Sequence, residues 1–149
     1  MVSEQIRSPA LRSAGAAIGL AAHAHWLPRI GIASIFLFHG ITKFPQAAEL
    51  SQMMNMPAAL IVMLGMMEIV GGALILAGGL ARAWVTQAGA AILAMVMAGA
   101  VGTVHWGQWA FTASPTHPMG GMEFQVFMIL VLVWLALSAP RARVGVRAY

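Results

Sequence analysis

The sequence predicts an all-α protein, a four-transmembrane-helix bundle with both termini cytoplasmic, and three observations carry that expectation. The 149 residues are 60% hydrophobic and only 8% charged, with a mean hydropathy of +0.84, a composition of integral membrane proteins. Four apolar stretches each approach the roughly 20 residues a spanning helix needs. Their connections alternate in charge: Arg7, Arg12, Arg82, Arg141, Arg143 and Arg147 fall on one side, and Lys43 alone on the other. The positive-inside rule then places both termini and the Arg82 turn in the cytoplasm and both longer loops outside.

The chain reads as one membrane domain with short flanks. Residues 1–25 combine Arg7 and Arg12 with an Ala/Gly-rich run, Ala14 to Ala22, and the tripeptide Ala22-His23-Ala24. That order mimics a signal peptide, but the apolar run is poor in Leu, and the expectation is a cytoplasmic or interfacial N-terminal segment. The membrane domain covers 26–139. Span 1 is about 26–44, with Pro28 placed for a helix start; a loop, Pro45–Met56, follows. Span 2 is about 57–80, opened by Pro57 and closed by Gly78-Gly79. Span 3, about 84–106, carries Ala88, Gly89, Ala94, Ala98, Gly99 and Gly102, the composition of a helix crowded on several sides. A polar and aromatic loop leads to span 4, about 118–139, and residues 140–149 form a basic cytoplasmic tail.

Glu68 is the residue this arrangement has to explain. The chain holds only four carboxylates, Glu4, Glu49, Glu68 and Glu123, and Glu68 stands in the middle of span 2. An ionisable group in hydrocarbon costs about 2.5–3.5 kcal/mol on insertion scales, so it belongs in a bundle interior. Gly65, Gly71 and Gly72 share its side of the helix, while Val62, Met66, Ala73 and Leu76 line the other. The Glu68 side is therefore the packed side and the Met/Leu side meets lipid.

At 1.5 Å per residue, with Lys43 and Pro57 at the outer rim, His39 lies about 6 Å in and Glu68 about 16 Å in. With Pro118 at the rim, Glu123 lies about 7–8 Å in. His39, Lys43, His105 and Glu123 are then expected to converge near the outer surface with Glu68 below them. Arg29, about 5 Å deeper, is an ion-pair candidate for Glu68. Each has a structural reading as well: Lys43 and Arg82 as headgroup residues, His39 as a satisfied core histidine, His105 as a helix-end residue. The halves also read as a faint repeat, pairing His39 with His105, Glu68 with Glu123 and Arg82 with Arg141, as two parallel helical hairpins would.

The pattern Arg29-Ile30-Gly31, Phe38-His39-Gly40-Ile41-Thr42-Lys43-Phe44, Gly65-Met66-Met67-Glu68-Ile69-Val70-Gly71-Gly72, Gly79-Leu80-Ala81-Arg82, His105-Trp106-Gly107 and Gly120-Gly121-Met122-Glu123 resembles the DoxX/DoxD family of small four-helix membrane proteins. Ser138-Ala139-Pro140-Arg141 stands where that family usually has a glycine- and aspartate-bearing end. The resemblance implies a membrane subunit of a quinone-linked oxidoreductase in a bacterial cytoplasmic (inner) membrane, with partner subunits. The positions it implicates are Arg29, His39, Lys43, Glu68, Arg82, His105 and Glu123. In chemical terms Glu68 and Glu123 are the candidate catalytic proton carriers, and His39, Lys43, His105, Arg29 and Arg82 the candidate ligands of a quinone.

Several classes are excluded or kept as rivals. The pI near 11.3 arises from dispersed Lys/Arg without a basic stripe, so no nucleic acid is expected. With no Cys and no flavin or nucleotide motif, no intrinsic electron carrier is evident and an electron donor must come from a partner. One rival is a haem- or metal-binding module using His39 and His105, with Glu123 as a further metal ligand. The other is a non-catalytic accessory subunit that packs in a larger membrane assembly.

Overall fold

The computed structural model describes residues 23–139, and every regular element in them is helical. The expected basic tail, 140–149, and all but the last three residues of the expected N-terminal segment, 1–25, lie outside the described residues. Helix α1 is Trp26–Lys43, α2 is Ala47–Met54, α3 is Ala58–Ala77, α4 is Ala83–Ala100 and α5 is Glu123–Ser138. Pro57, at φ −58° and ψ 137°, sits immediately before α3, where its missing N–H costs no helical hydrogen bond. Helix α4 continues into a single π-helical turn, Val101–His105, which carries His105 into a buried position.

Two boundaries differ from the sequence expectation. The loop 45–56 contains α2, an amphipathic helix whose Ala47, Leu50, Ser51 and Met54 are half-buried at helical spacing; Asn55, at φ 51°, ends it. Span 4 starts five residues late, at Glu123 instead of Pro118. The amides of Gly121, Met122 and Glu123 donate to the carbonyls of Ala110, Gln108 and Trp109, so that segment is tied to the preceding loop and not wound into a helix. At 16 residues α5 is about 24 Å long, short of a bilayer core of about 30 Å. Among the described residues two helical stretches, Ala58–Ala77 and Ala83–His105, are long and apolar enough to cross a membrane.

Four helices share one core. Ile32 and Phe36 of α1 meet Ile75 of α3, Ala90 and Leu93 of α4, and Met128, Leu132 and Leu135 of α5. Helix α1 packs on α3, α3 on α4 and α4 on α5, with lighter contact between α1 and α5; α2 rests on α3. Glycine sets the closest approaches. A Cβ on Gly40 would stand 2.7 Å from the Gly65 carbonyl oxygen, and one on Gly89 2.9 Å from that of Gly71. Small residues permit such crossings, while Met63, Met66, Met95, Phe127, Leu130 and Trp134 are exposed on the outer faces. Large apolar residues exposed on the outer faces form a contact surface for lipid or another protein.

Candidate functional site

The Gly40–Gly65 contact positions the first polar pair. Lys43 lies one turn beyond Gly40, and its Nζ stands 2.6 Å from Glu68 Oε2, forming the one ion pair among the described residues. Glu68 is buried with Gly65, Gly71 and Gly72, as its helical position predicts. The expected Arg29–Glu68 pair does not form. Arg29 lies 14 residues before Lys43, about 21 Å along α1, which brings it level with Ile75 near the opposite end of α3. There its Nη1 donates to the Ile75 carbonyl at 2.7 Å and to Thr86 Oγ1 at 2.9 Å, joining α1, α3 and α4.

A second cluster joins the end of α4 to the loop and α5. His105 Nδ1 lies 2.8 Å from the Gly120 carbonyl, which can only accept, so Nδ1 carries the proton. His105 Nε2 then accepts from Gln125 Nε2 at 2.9 Å. The buried Oε1 of Gln125 has no partner. Gly120, at φ +81°, presses on the Phe111 backbone and turns the chain toward α5.

This folded loop forms one wall of a groove of about 440 Å³ on the outer side of α5. Trp109, Phe111, Phe124 and Phe127 supply aromatic faces, and Glu123 is the ionisable group in the lining. The Phe111 amide donates to Glu123 Oε2 at 3.3 Å, which orients the carboxylate.

The sequence-predicted residues thus separate into distinct places and do not converge. Lys43 and Glu68 pair; Arg29 is buried near the other end; His105 is buried against Gly120 and Gln125; Glu123 lines the groove; Arg82 is exposed. His39 is exposed on the outward face of α1, its ring edge-on to Phe38. With His39 outside and both ring nitrogens of His105 engaged, the two imidazoles are not arranged to ligate one group. Among the described residues no cluster of three or more His, Asp or Glu side chains could hold a metal ion. The paired halves are likewise unequal, since Glu68 is buried and Glu123 exposed. Thr86, Gln125 and the aromatic groove were not foreseen; the lone amide in the apolar run 124–137 was the available sign of Gln125.

Residues 24–106 match the family model of DoxX, more than half of the chain. The chain belongs to the DoxX family. It is accordingly a membrane protein, and the match takes in Arg29, His39, Lys43, Glu68, Arg82 and His105. Glu123 and the wall of the groove on α5 lie beyond the matched residues. Comparison with curated proteins and with solved structures gave no match.

Proposed function

We propose that this DoxX-family protein is the membrane subunit of a quinone-linked oxidoreductase, and that the α5 groove receives the quinone ring. The observation that supports this reading is the groove itself: four aromatic side chains around one oriented carboxylate. Flat rings gain from stacking against aromatic faces. Glu123 is placed to accept a hydroxyl proton, and the Phe111 N–H holds its Oε2 while it does so. A quinone supplies two-electron, two-proton redox chemistry. The chain has no cysteine and no nucleotide-binding motif, so the electrons pass to or from a partner subunit. Glu68, sealed against Lys43, serves the packing of α1 on α3 in this reading, which leaves Glu123 as the proton-carrying carboxylate. The charge distribution of the connections favours cytoplasmic termini in a bacterial inner membrane.

The test is a titration of the full chain in lipid nanodiscs with a short-chain benzoquinone, read by tryptophan fluorescence. Quenching should saturate, and Trp109→Phe should remove most of the quenched component. The hydroquinone form, whose hydroxyl can donate to the Glu123 carboxylate, should bind Glu123→Gln about tenfold more weakly, as expected for a hydrogen bond to a charged group. Quenching that ignores both substitutions would sink the reading. A purely accessory subunit would then stand in its place, a role favoured by the way Lys43–Glu68 and Arg29–Thr86 fasten the bundle from within.

A further inference from the structure

Arg29 is 2% exposed, yet its partners carry no negative charge. Nη1 donates to the Ile75 carbonyl and Thr86 Oγ1, and Nε donates to His25 Nδ1 at 3.3 Å. Three of the five guanidinium protons are used, and both Nη2 protons remain. Among the described residues the single ion pair is Lys43–Glu68, so within them Arg29 has acceptors but no counter-ion. Burying an uncompensated charge is costly, and buried charges are ordinarily paired.

A cavity of about 110 Å³ lies beside it, lined by Arg29, His25, Ser138, Trp134 and the glycines of the α3–α4 turn. Because His25 Nδ1 accepts from Arg29, the neutral imidazole carries its proton on Nε2 and offers a second donor. The Ser138 hydroxyl is a third. Of the three carboxylates among the described residues, Glu49 and Glu123 lie toward the opposite end of the bundle and Glu68 is already paired; Arg82 follows the turn that walls the cavity. The cavity is too small for a ring with a tail, but it suits a compact group that accepts several hydrogen bonds. A guanidinium fork matches the oxygen spacing of phosphate.

We propose that this cavity, at the end of the bundle opposite the α5 groove, is a binding site for a tetrahedral phosphate-type oxyanion, held by Arg29, His25 and Ser138. The anion is the phosphodiester of a lipid headgroup or a free inorganic anion, and its charge completes the Arg29 knot that joins α1, α3 and α4.

The experiment uses the full chain purified in a phosphate-free maltoside detergent. Phosphatidylglycerol is titrated with native mass spectrometry as the readout, diacylglycerol serves as the phosphate-free control, and inorganic phosphate is added as competitor. One phosphatidylglycerol per chain should be retained and diacylglycerol should not. Retention that resists inorganic phosphate identifies a lipid headgroup, while displacement by it identifies a site for the free anion. Ser138→Asp places a carboxylate at the cavity, where it competes with the anion for the free Nη2 protons of Arg29, and should weaken either ligand at least about tenfold. Arg29→Lys keeps the charge, loses the fork and should weaken binding as well. Equal binding of phosphatidylglycerol and diacylglycerol with no response to inorganic phosphate, or wild-type binding by Ser138→Asp, overturns the proposal.

Discussion

Lys43 Nζ meets Glu68 Oε2 at 2.6 Å one turn from the point where Gly40 and Gly65 bring the α1 and α3 backbones together. The glycines allow the approach, and the ion pair fills the space beside it with satisfied charge. Glu68 is buried and Lys43 half-buried, so removing one member costs up to about 3–5 kcal/mol, the figure for a fully buried pair, whereas replacing both by apolar residues is often neutral. Glu68→Ala and Lys43→Met should therefore each destabilise the protein strongly, and Lys43→Met with Glu68→Leu should recover much of the loss. Thermal unfolding in mild detergent reads the comparison. A double variant as unstable as the sum of the singles would show that the pair is not a closed unit.

The crossing itself makes a separate prediction. Gly65→Val sets a branched side chain against the Gly40 carbonyl and the Lys43 stem, where even a Cβ would stand at 2.9 Å and 3.2 Å. The helices must part, and the Lys43–Glu68 contact lengthens with them. Gly31→Val, on the same α1 helix but with nothing within 4 Å of its Cβ position, should leave stability within about 1 kcal/mol. A crosslink between cysteines placed on α1 and α3 reports the separation. Unchanged crosslinking in Gly65→Val would refute a glycine-determined crossing.

What the sequence made legible was the position of single residues on helices. The burial of Glu68 with its glycines follows from helical period alone, and so does the outward placement of Met66 and Ala73. Partnerships were less legible, because they depend on how far one helix slides along another. Setting Lys43 and Pro57 at a common rim placed Glu68 too deep; α3 in fact begins beyond the end of α1, and Lys43 reaches Glu68 directly. The outward turn of His39 had the same period available to read, since Ile32, Phe36 and Gly40 set the inner side of α1. The groove was not legible, because its wall is a loop fixed by long-range backbone hydrogen bonds.

The His105 cluster predicts an asymmetry between its two members. Gln125 donates one hydrogen bond to His105 Nε2 but leaves its buried Oε1 unpartnered. Gln125→Met loses the first and relieves the second, for a net change of about 1 kcal/mol or less. His105→Leu instead strands the Gly120 carbonyl and the Gln125 amide together, and should cost about 2–6 kcal/mol at roughly 1–3 kcal/mol for each buried group. Urea unfolding of the two variants in detergent separates them. Equal losses would mean that Gln125 Oε1 has a partner and the cluster extends further than these residues.

Gly120 ties that cluster to the groove. At φ +81°, with a Cβ position that would lie on the Phe111 carbonyl, it admits no side chain. Gly120→Ala must displace Phe111, and with Phe111 goes the amide that holds Glu123 and one aromatic wall of the groove. Gly107 is the informative comparison. It also has a positive φ, +96°, but its nearest neighbour would be His117 at 3.7 Å, so Gly107→Ala meets backbone strain of about 1–3 kcal/mol without a clash. Benzoquinone quenching of Trp109 should be lost in Gly120→Ala and kept in Gly107→Ala, with both proteins retaining their helical circular dichroism. If Gly120→Ala still binds the quinone as tightly as the wild type, the ring does not sit against the Phe111 wall.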